Sequence, residues 1–307
     1  MKAQLLSTAL LCCILPATAD DYTGWQVTNP EWQLVFSDDF NGTTLDATKW
    51  NSIDYVGWNV SDWRTYQSNE PELVTVNGDG TVSLWGKYGN YTSQSNPSGA
   101  ALTYACGGIF TDKTFNFQYG YVEVRAKFDC AQGAWPAIWM MPTDGSNWPK
   151  NGEIDILEHL NYEGIAHQTL HFNKADGKNT SLGTVNANGG STAYYSDVDS
   201  KLDFHTYGVE WTTEGISFLM DGKKTLTVAH QDNNPNWPFN KENNPFYLLL
   251  DMQLGGDWVG EIGNIGDGVA MTVDYVRVYS TPQVPEPTSA ALSTLALAIL
   301  AGRRRRK

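Results

Sequence analysis

Cysteine is scarce in this 307-residue chain: there are four, and two of them, Cys12 and Cys13, sit in an apolar amino-terminal run. That leaves Cys106 and Cys130, which excludes a metal site built from sulfur. One disulfide between them, or two reduced thiols, is all that remains open. Cations are few as well, with 20 Lys and Arg against 34 Asp and Glu and a net charge of −14. Such a surface disfavours nucleic acid and, less strongly, other polyanions, whereas a neutral polymer meets no penalty. Repeats, low-complexity segments and interior linkers are missing, and so are long amphipathic helical patterns.

Both ends read as address segments. Lys2 precedes an apolar run, Leu5–Leu15, and then Ala17-Thr18-Ala19, a small-x-small cleavage site. Residues 1–19 therefore read as a secretory signal peptide, with a mature start near Asp20. A lipid-anchored start at Cys12 or Cys13 competes, but Leu10 and Leu11 stand where small residues are required. At the other end, Val284-Pro285-Glu286-Pro287 is followed by apolar Ser289–Gly302 and the cations Arg303–Lys307. The apolar stretch is short of the ~20 residues a spanning helix needs, and the cations favour a cytoplasmic end. Residues 283–307 resemble a PEP-CTERM sorting signal, which implies transient membrane anchoring and a secreted or cell-surface protein of a Gram-negative-type bacterium. A retained membrane tail is the alternative. Between the labels, residues 20–282 hold 14 cations and 33 acids, enough chain for one large domain, expected to be a monomer.

What the sequence does have is turns and β formers: 29 Gly, 13 Pro, 12 Trp and 15 Tyr. In Tyr119–Phe128, Val122, Val124, Ala126 and Phe128 share one face while Tyr121, Glu123, Arg125 and Lys127 share the other, a period of two with one face buried. Ile216–Met220 and Lys224–Val228 flank Asp221-Gly222, a tight-hairpin signal. Phe204–Thr212, Phe246–Gln253 and Met271–Tyr279 read as further strands. Many short strands predict an all-β, two-sheet sandwich; a propeller is the alternative, without a blade-length repeat to support it.

The segment Gly152-Glu153-Ile154-Asp155-Ile156-Leu157-Glu158-His159 carries the chemistry. Ile154, Ile156 and Leu157 suit a core-facing strand, while Glu153 and Asp155 point the other way. Glu158 stands five from Glu153, so a regular strand would turn it into the core, where a bare carboxylate is costly. One extra residue near Ile156-Leu157, a β-bulge, restores Glu158 to the face of the other two acids. Three like charges on one face need a reason, and retaining glycosidases supply one. They use two carboxyl groups ~5–5.5 Å apart, which requires a bent strand and a concave cleft. On charge alone, Glu158 is the proton donor, raised by its neighbours, and Glu153 stays ionised as nucleophile, with Asp155 coupled between them. An acidic outer strand face is the bland alternative.

Aromatic residues weigh against that alternative. Trp135 and Trp139 have the same parity just before the carboxylate strand, and Trp148 lies in the connecting loop; indoles stack on the C–H faces of pyranose rings. His167 and His171 follow four apart. On a strand, without a clear third ligand, they make a poor zinc site, and His171 is expected beside the carboxylates as a binding residue. His205 reads as structural.

These residues resemble glycoside hydrolase family 16, especially its laminarinase-like (endo-β-1,3-glucanase) branch. The stretches that carry the resemblance are GAWPAIWMMP at 133–142, GEIDILEH at 152–159, FHTYGVEW at 204–211, FYLLLDMQLGG at 246–256 and MTVDYVRVY at 271–279. The family's pattern is Glu-x-Asp-x-x-Glu in bulged members and Glu-x-Asp-x-Glu in lichenases, and the bulged form stands here. The resemblance implies a β-jelly-roll, endo-acting retaining hydrolysis of a polysaccharide, and the roles given to Glu153, Asp155 and Glu158. No cofactor is needed for catalysis. A structural Ca²⁺ is implied, with Asp274 as carboxylate ligand and backbone oxygens near Asp39 and Asn77–Gly80; a salt bridge or cap at Asp274 is the alternative. Two places depart from the family. Gly107-Gly108 stands where many members have an Arg, and Asp62-Trp63-Arg64-Thr65-Tyr66 replaces an Asn-Glu-containing stretch, with Arg64 as a compensating donor to substrate. The leading expectation is therefore a β-1,3-glucanase. A galactanase on agar- or carrageenan-like chains or a transglycosylase with the same residues comes next, and a binding-only module last.

Overall fold

The alternating segments form sixteen strands in a computed structural model that describes residues 29–281 except 57–61, 94, 96–98, 100, 185–194 and 196–201. Both address segments lie outside the described residues. In chain order the strands are β1 (Gln33–Asp38), β2 (Asn51–Ser52), β3 (Val74–Val76), β4 (Val82–Tyr91), β5 (Leu102–Cys106), β6 (Gly108–Phe110), β7 (Gly120–Phe128) and β8 (Ala134–Pro142). They continue as β9 (Glu153–Glu158), β10 (His167–Asn173), β11 (Asn179–Gly183), β12 (His205–Thr212), β13 (Gly215–Met220), β14 (Lys223–Ala229), β15 (Phe246–Leu254) and β16 (Val269–Ser280). Among the described residues helical structure is limited to a three-residue 3-10 turn, Pro71–Leu73, and to Leu202.

Two antiparallel sheets result. The seven-stranded sheet runs β11-β10-β9-β8-β15-β6-β2, and the nine-stranded sheet runs β14-β13-β12-β7-β16-β4-β3, with β1 on β16 and β5 on β4. The core between them takes Val122, Val124 and Ala126 from β7, Ile138 and Met140 from β8, Ile154 and Ile156 from β9, and Leu248 and Leu250 from β15, all fully buried. Burying each such side chain contributes roughly 1.5–3 kcal/mol, so the layering follows directly from the period-two pattern. The β13–β14 hairpin turns at Asp221 (φ 49°) and Gly222 (φ 71°), two successive left-handed residues as the Asp-Gly pair demands.

The opposite face of β7 is more covered than simple alternation predicts. Tyr121 packs with Trp32 and Leu219, and Glu123 is 2 % exposed, accepting hydrogen bonds from the Tyr121 and Tyr275 hydroxyls at 2.8 and 2.7 Å. Cys106 is buried and Cys130 half-buried, and no disulfide joins them.

Candidate active site

β9 lies between β8 and β10, and its register slips by one residue against both. Along β8, Ile138 pairs with Leu157 and Trp139 with Asp155, so Ile156 is surplus. Along β10, His167 pairs with Glu158 and Thr169 with Asp155, one residue too few on that side. Ile156 and Leu157 are adjacent yet both pack into the one core between the sheets, which a regular strand with alternating faces cannot achieve. The bulge thus sits where the cost of burying Glu158 requires it, and Glu153, Asp155 and Glu158 all line one cleft of about 490 Å³ on the outer face of the seven-stranded sheet.

Each outer acid has its own indole. Trp135 Nε1 donates to Glu158 Oε1 at 3.0 Å, and Trp148 Nε1 donates to Glu153 Oε2. His171 Nε2 lies 3.2 Å from Asp155 Oδ2, close enough for attraction but without hydrogen-bond alignment, so that buried oxygen has no hydrogen-bond partner. Burial, reinforced by the charge of Asp155, pushes Glu153 up to about 8, with His171 and Trp148 opposing. Burial likewise pushes Asp155 to about 8. Glu158 is driven well above the ordinary carboxylate range, first by burial and then by the charges of both Asp155 and Glu153. Ionisation of Glu153, the expected nucleophile, is thus opposed by burial and by Asp155 and favoured by His171 and Trp148. In the open cleft desolvation outweighs the helpful neighbours, and the three carboxyl groups share protons.

Trp139 also lines the cleft, its Nε1 bonded to Asp251 Oδ1 at 2.8 Å. Trp63 packs edge-on against it at 4.9 Å. His171 stacks obliquely on Trp148 at 5.7 Å. His167 pairs instead with Glu163 at 2.8 Å and meets Trp258 edge-on at 5.2 Å, so the two histidines serve different carboxylates and do not converge as metal ligands. Glu153, Asp155 and His171 do offer ligand atoms within 4.8 Å of one another, but these are the same groups that crowd one another for protons. His205 bonds Asp221 at 2.7 Å, a structural contact.

Two expectations change. Arg64 does not line the cleft: its guanidinium is held by Asp62, with Nε 3.0 Å from Oδ2, and lies over the Tyr55 ring at 5.3 Å. A flexible cation beside a carboxylate two residues away is captured locally, and Asp62 and Trp63 face the cleft instead. Asp274 pairs with Arg125 at 2.5 Å, the salt-bridge alternative. A cation there would have to share its one carboxylate with a guanidinium, so the donor set does not fit the implied calcium and no step is drawn through it.

Sequence reasoning reached the Asp62–Tyr66 segment but chose Arg64 rather than Asp62 and Trp63 from it, and it passed over Gln253 and Trp258 as lining residues and Asp251 beneath them. Asp251 and Gln253 were legible in principle, because two polar side chains two apart in the apolar run of β15 must share its non-core face.

A two-sheet sandwich with three crowded carboxyl groups in an indole-lined cleft defines a glycosidase. The chain belongs to glycosyl hydrolases family 16, whose model matches residues 65–277, and the fold is that family's jelly-roll. It is 36% identical over 83% of its length to a keratan-sulfate endo-1,4-beta-galactosidase of Sphingobacterium multivorum, of which it spans 57%. It is 32% identical to a beta-glucanase of Rhodothermus marinus, covering 90% of this chain and 93% of that one. A solved non-specific endo-beta-1,3(4)-glucanase of the family, holding a 1,3-beta-D-cellobiosyl-glucose at its active site, superposes with a TM-score of 0.67 at 32% identity, over 84% of this chain and 98% of that one.

Proposed function

We propose that this protein acts outside the cell as an endo-acting, retaining β-glycanase on a neutral polysaccharide, with β-1,3-linked glucan as the leading substrate. The observation that carries the reading is the bulge at Ile156, which sets Glu153, Asp155 and Glu158 on one cleft face. Glu153 attacks the anomeric carbon while Glu158 gives its proton to the departing glycosidic oxygen. The bond to the leaving sugar breaks as the bond to Glu153 forms. Glu158, now ionised, takes a proton from water, whose oxygen displaces Glu153 and restores both acids. His171, beside Asp155, favours the ionised form of Glu153 that attacks. Trp135 orients Glu158, and Trp148 orients Glu153.

A second substrate reading, a β-galactoside chain, is favoured by the similarity to the keratan-sulfate galactosidase. The test is to incubate the protein with laminarin, mixed-linkage glucan, agarose and carrageenan and to measure new reducing ends. The anomer first released is read by NMR. Release with the β anomer appearing first is expected. A folded protein that releases nothing from any polymer, or that releases the α anomer first, ends the reading.

A further inference from the structure

The cleft floor beside the acids is a row that crosses four strands: Glu158 on β9, Ala137 on β8, Asp251 on β15 and Gly108 on β6. Ala137 and Gly108 keep this row low. The flanking rows are tall, with Trp135 opposite Gln253 on one side and Trp139 opposite Leu249 on the other. A side chain at position 108 would start 2.6 Å from both Asp251 Cβ and Ile53 Cδ1, so the row cannot fill while Asp251 keeps its place.

Asp251 is fully buried and gathers donors. Trp139 Nε1 reaches Oδ1 at 2.8 Å and Gln67 Nε2 reaches Oδ2 at 3.0 Å; the Gln253 amide nearby helps to hold its carboxyl down against burial. Carboxylate oxygens accept, so the group Gln253 offers is its Nε2, and its Oε1 must turn elsewhere. Gln253 lines the cleft and is 2 % exposed, and that Oε1 is buried with no hydrogen-bond partner. A buried acceptor left unmet is costly, and native structures rarely carry one without a use. The charged lining of the cleft is Asp62, Glu153, Asp155 and Glu158, with neither Lys nor Arg among the described lining residues.

We propose that Gln253 is a specificity-determining residue: its Oε1 accepts a hydrogen bond from a hydroxyl or acetamido N–H of the sugar ring seated over Ala137, and the cleft selects an uncharged ring there. Oε1 can only accept, so the donor comes from the sugar. A sulfate or carboxylate on that ring would meet an acceptor in Gln253 and the acids Asp62, Glu153, Asp155 and Glu158, with no Lys or Arg among the described lining residues to offset them. This inference rests on the glycanase reading.

Each neutral polymer is therefore assayed beside its sulfated counterpart with the full chain: laminarin and laminarin sulfate, desulfated keratan and keratan sulfate, agarose and chemically sulfated agarose. A wild-type protein that cleaves none of them fails the glycanase reading itself. With an active wild type, the neutral member of the pair should be cleaved faster. Gln253→Met, which keeps the length and removes the acceptor, should lower kcat/KM on the preferred polymer about ten-fold or more. Both limbs of its pH profile should stay in place, since Gln253 moves no proton. Laminarin as the preferred polymer assigns the donor as a hydroxyl, and desulfated keratan admits the acetamido N–H. Unchanged kcat/KM in a folded Gln253→Met protein overturns the proposal. So does a wild-type preference for the sulfated member, which keeps the test decisive if the variant does not fold.

Discussion

Two buried carboxyl groups, one on each sheet, have opposite surroundings. Glu123, on the outer face of the nine-stranded sheet, is 2 % exposed and holds a tyrosine hydroxyl on each oxygen. Asp155, also 2 % exposed, has an oxygen without a hydrogen-bond partner and stands between two more acids. Burial alone does not distinguish structure from chemistry; satisfaction does. A carboxylate whose acceptor capacity is filled rigidifies the sheet around it. One that is left unmet and crowded by like charge stores a tendency to take and give protons.

The sharpest way to break this contrast is to neutralise the cleft acids. Glu153→Gln and Glu158→Gln should each reduce reducing-end release about 10³-fold or more, with circular dichroism unchanged. Retained activity in either overturns its role. Asp155→Asn is next. Because Asp155 is raised to about 8 in the folded protein, its ionisation opposes folding. The wild type is most stable relative to this variant below pH ~4 and loses ground as pH climbs to 8. Thermal melts should show the variant gaining on the wild type steadily across that window, while its activity falls. The acid limb of residual activity should move to lower pH, since a charge that raises Glu153 is gone. A pH-independent difference in stability would contradict the assignment. Glu123→Gln is the counterpart with the smaller effect. Denaturant titration should show a loss of about 1–3 kcal/mol, with kcat/KM per folded molecule unchanged; a selective loss of activity would erase the distinction.

How much of this was legible in the chain depends on range. Strands whose alternation is local were readable: β7, β12, β13, β15 and β16 lie within a few residues of their expected bounds. The bulge was readable too, because the parity of Glu153 and Glu158 conflicts with the cost of burying an acid unless a residue is added. What stayed hidden is set by contacts far apart in sequence. The edge-on packing of Trp63 against Trp139 and the pairing of Asp274 with Arg125 depend on loop paths and neighbouring strands that no periodicity encodes. Glu123 read as solvent-facing by alternation, since nothing local announces the two tyrosines that cover it.

The surplus residue in β9 is apolar and lies between the second and third acids. Removing the codon for Ile156 would leave those acids two and two apart, still on one side of an uninterrupted strand, which is the spacing of the lichenase form. The damage would fall on the interior as an isoleucine-sized void, on the order of 3 kcal/mol. Melting temperature and turnover measured on that shortened chain should part company, the first dropping while the second persists in whatever fraction remains folded. Loss of turnover in the folded fraction would mean that the kink itself, beyond its effect on facing, sets the distance between the acids.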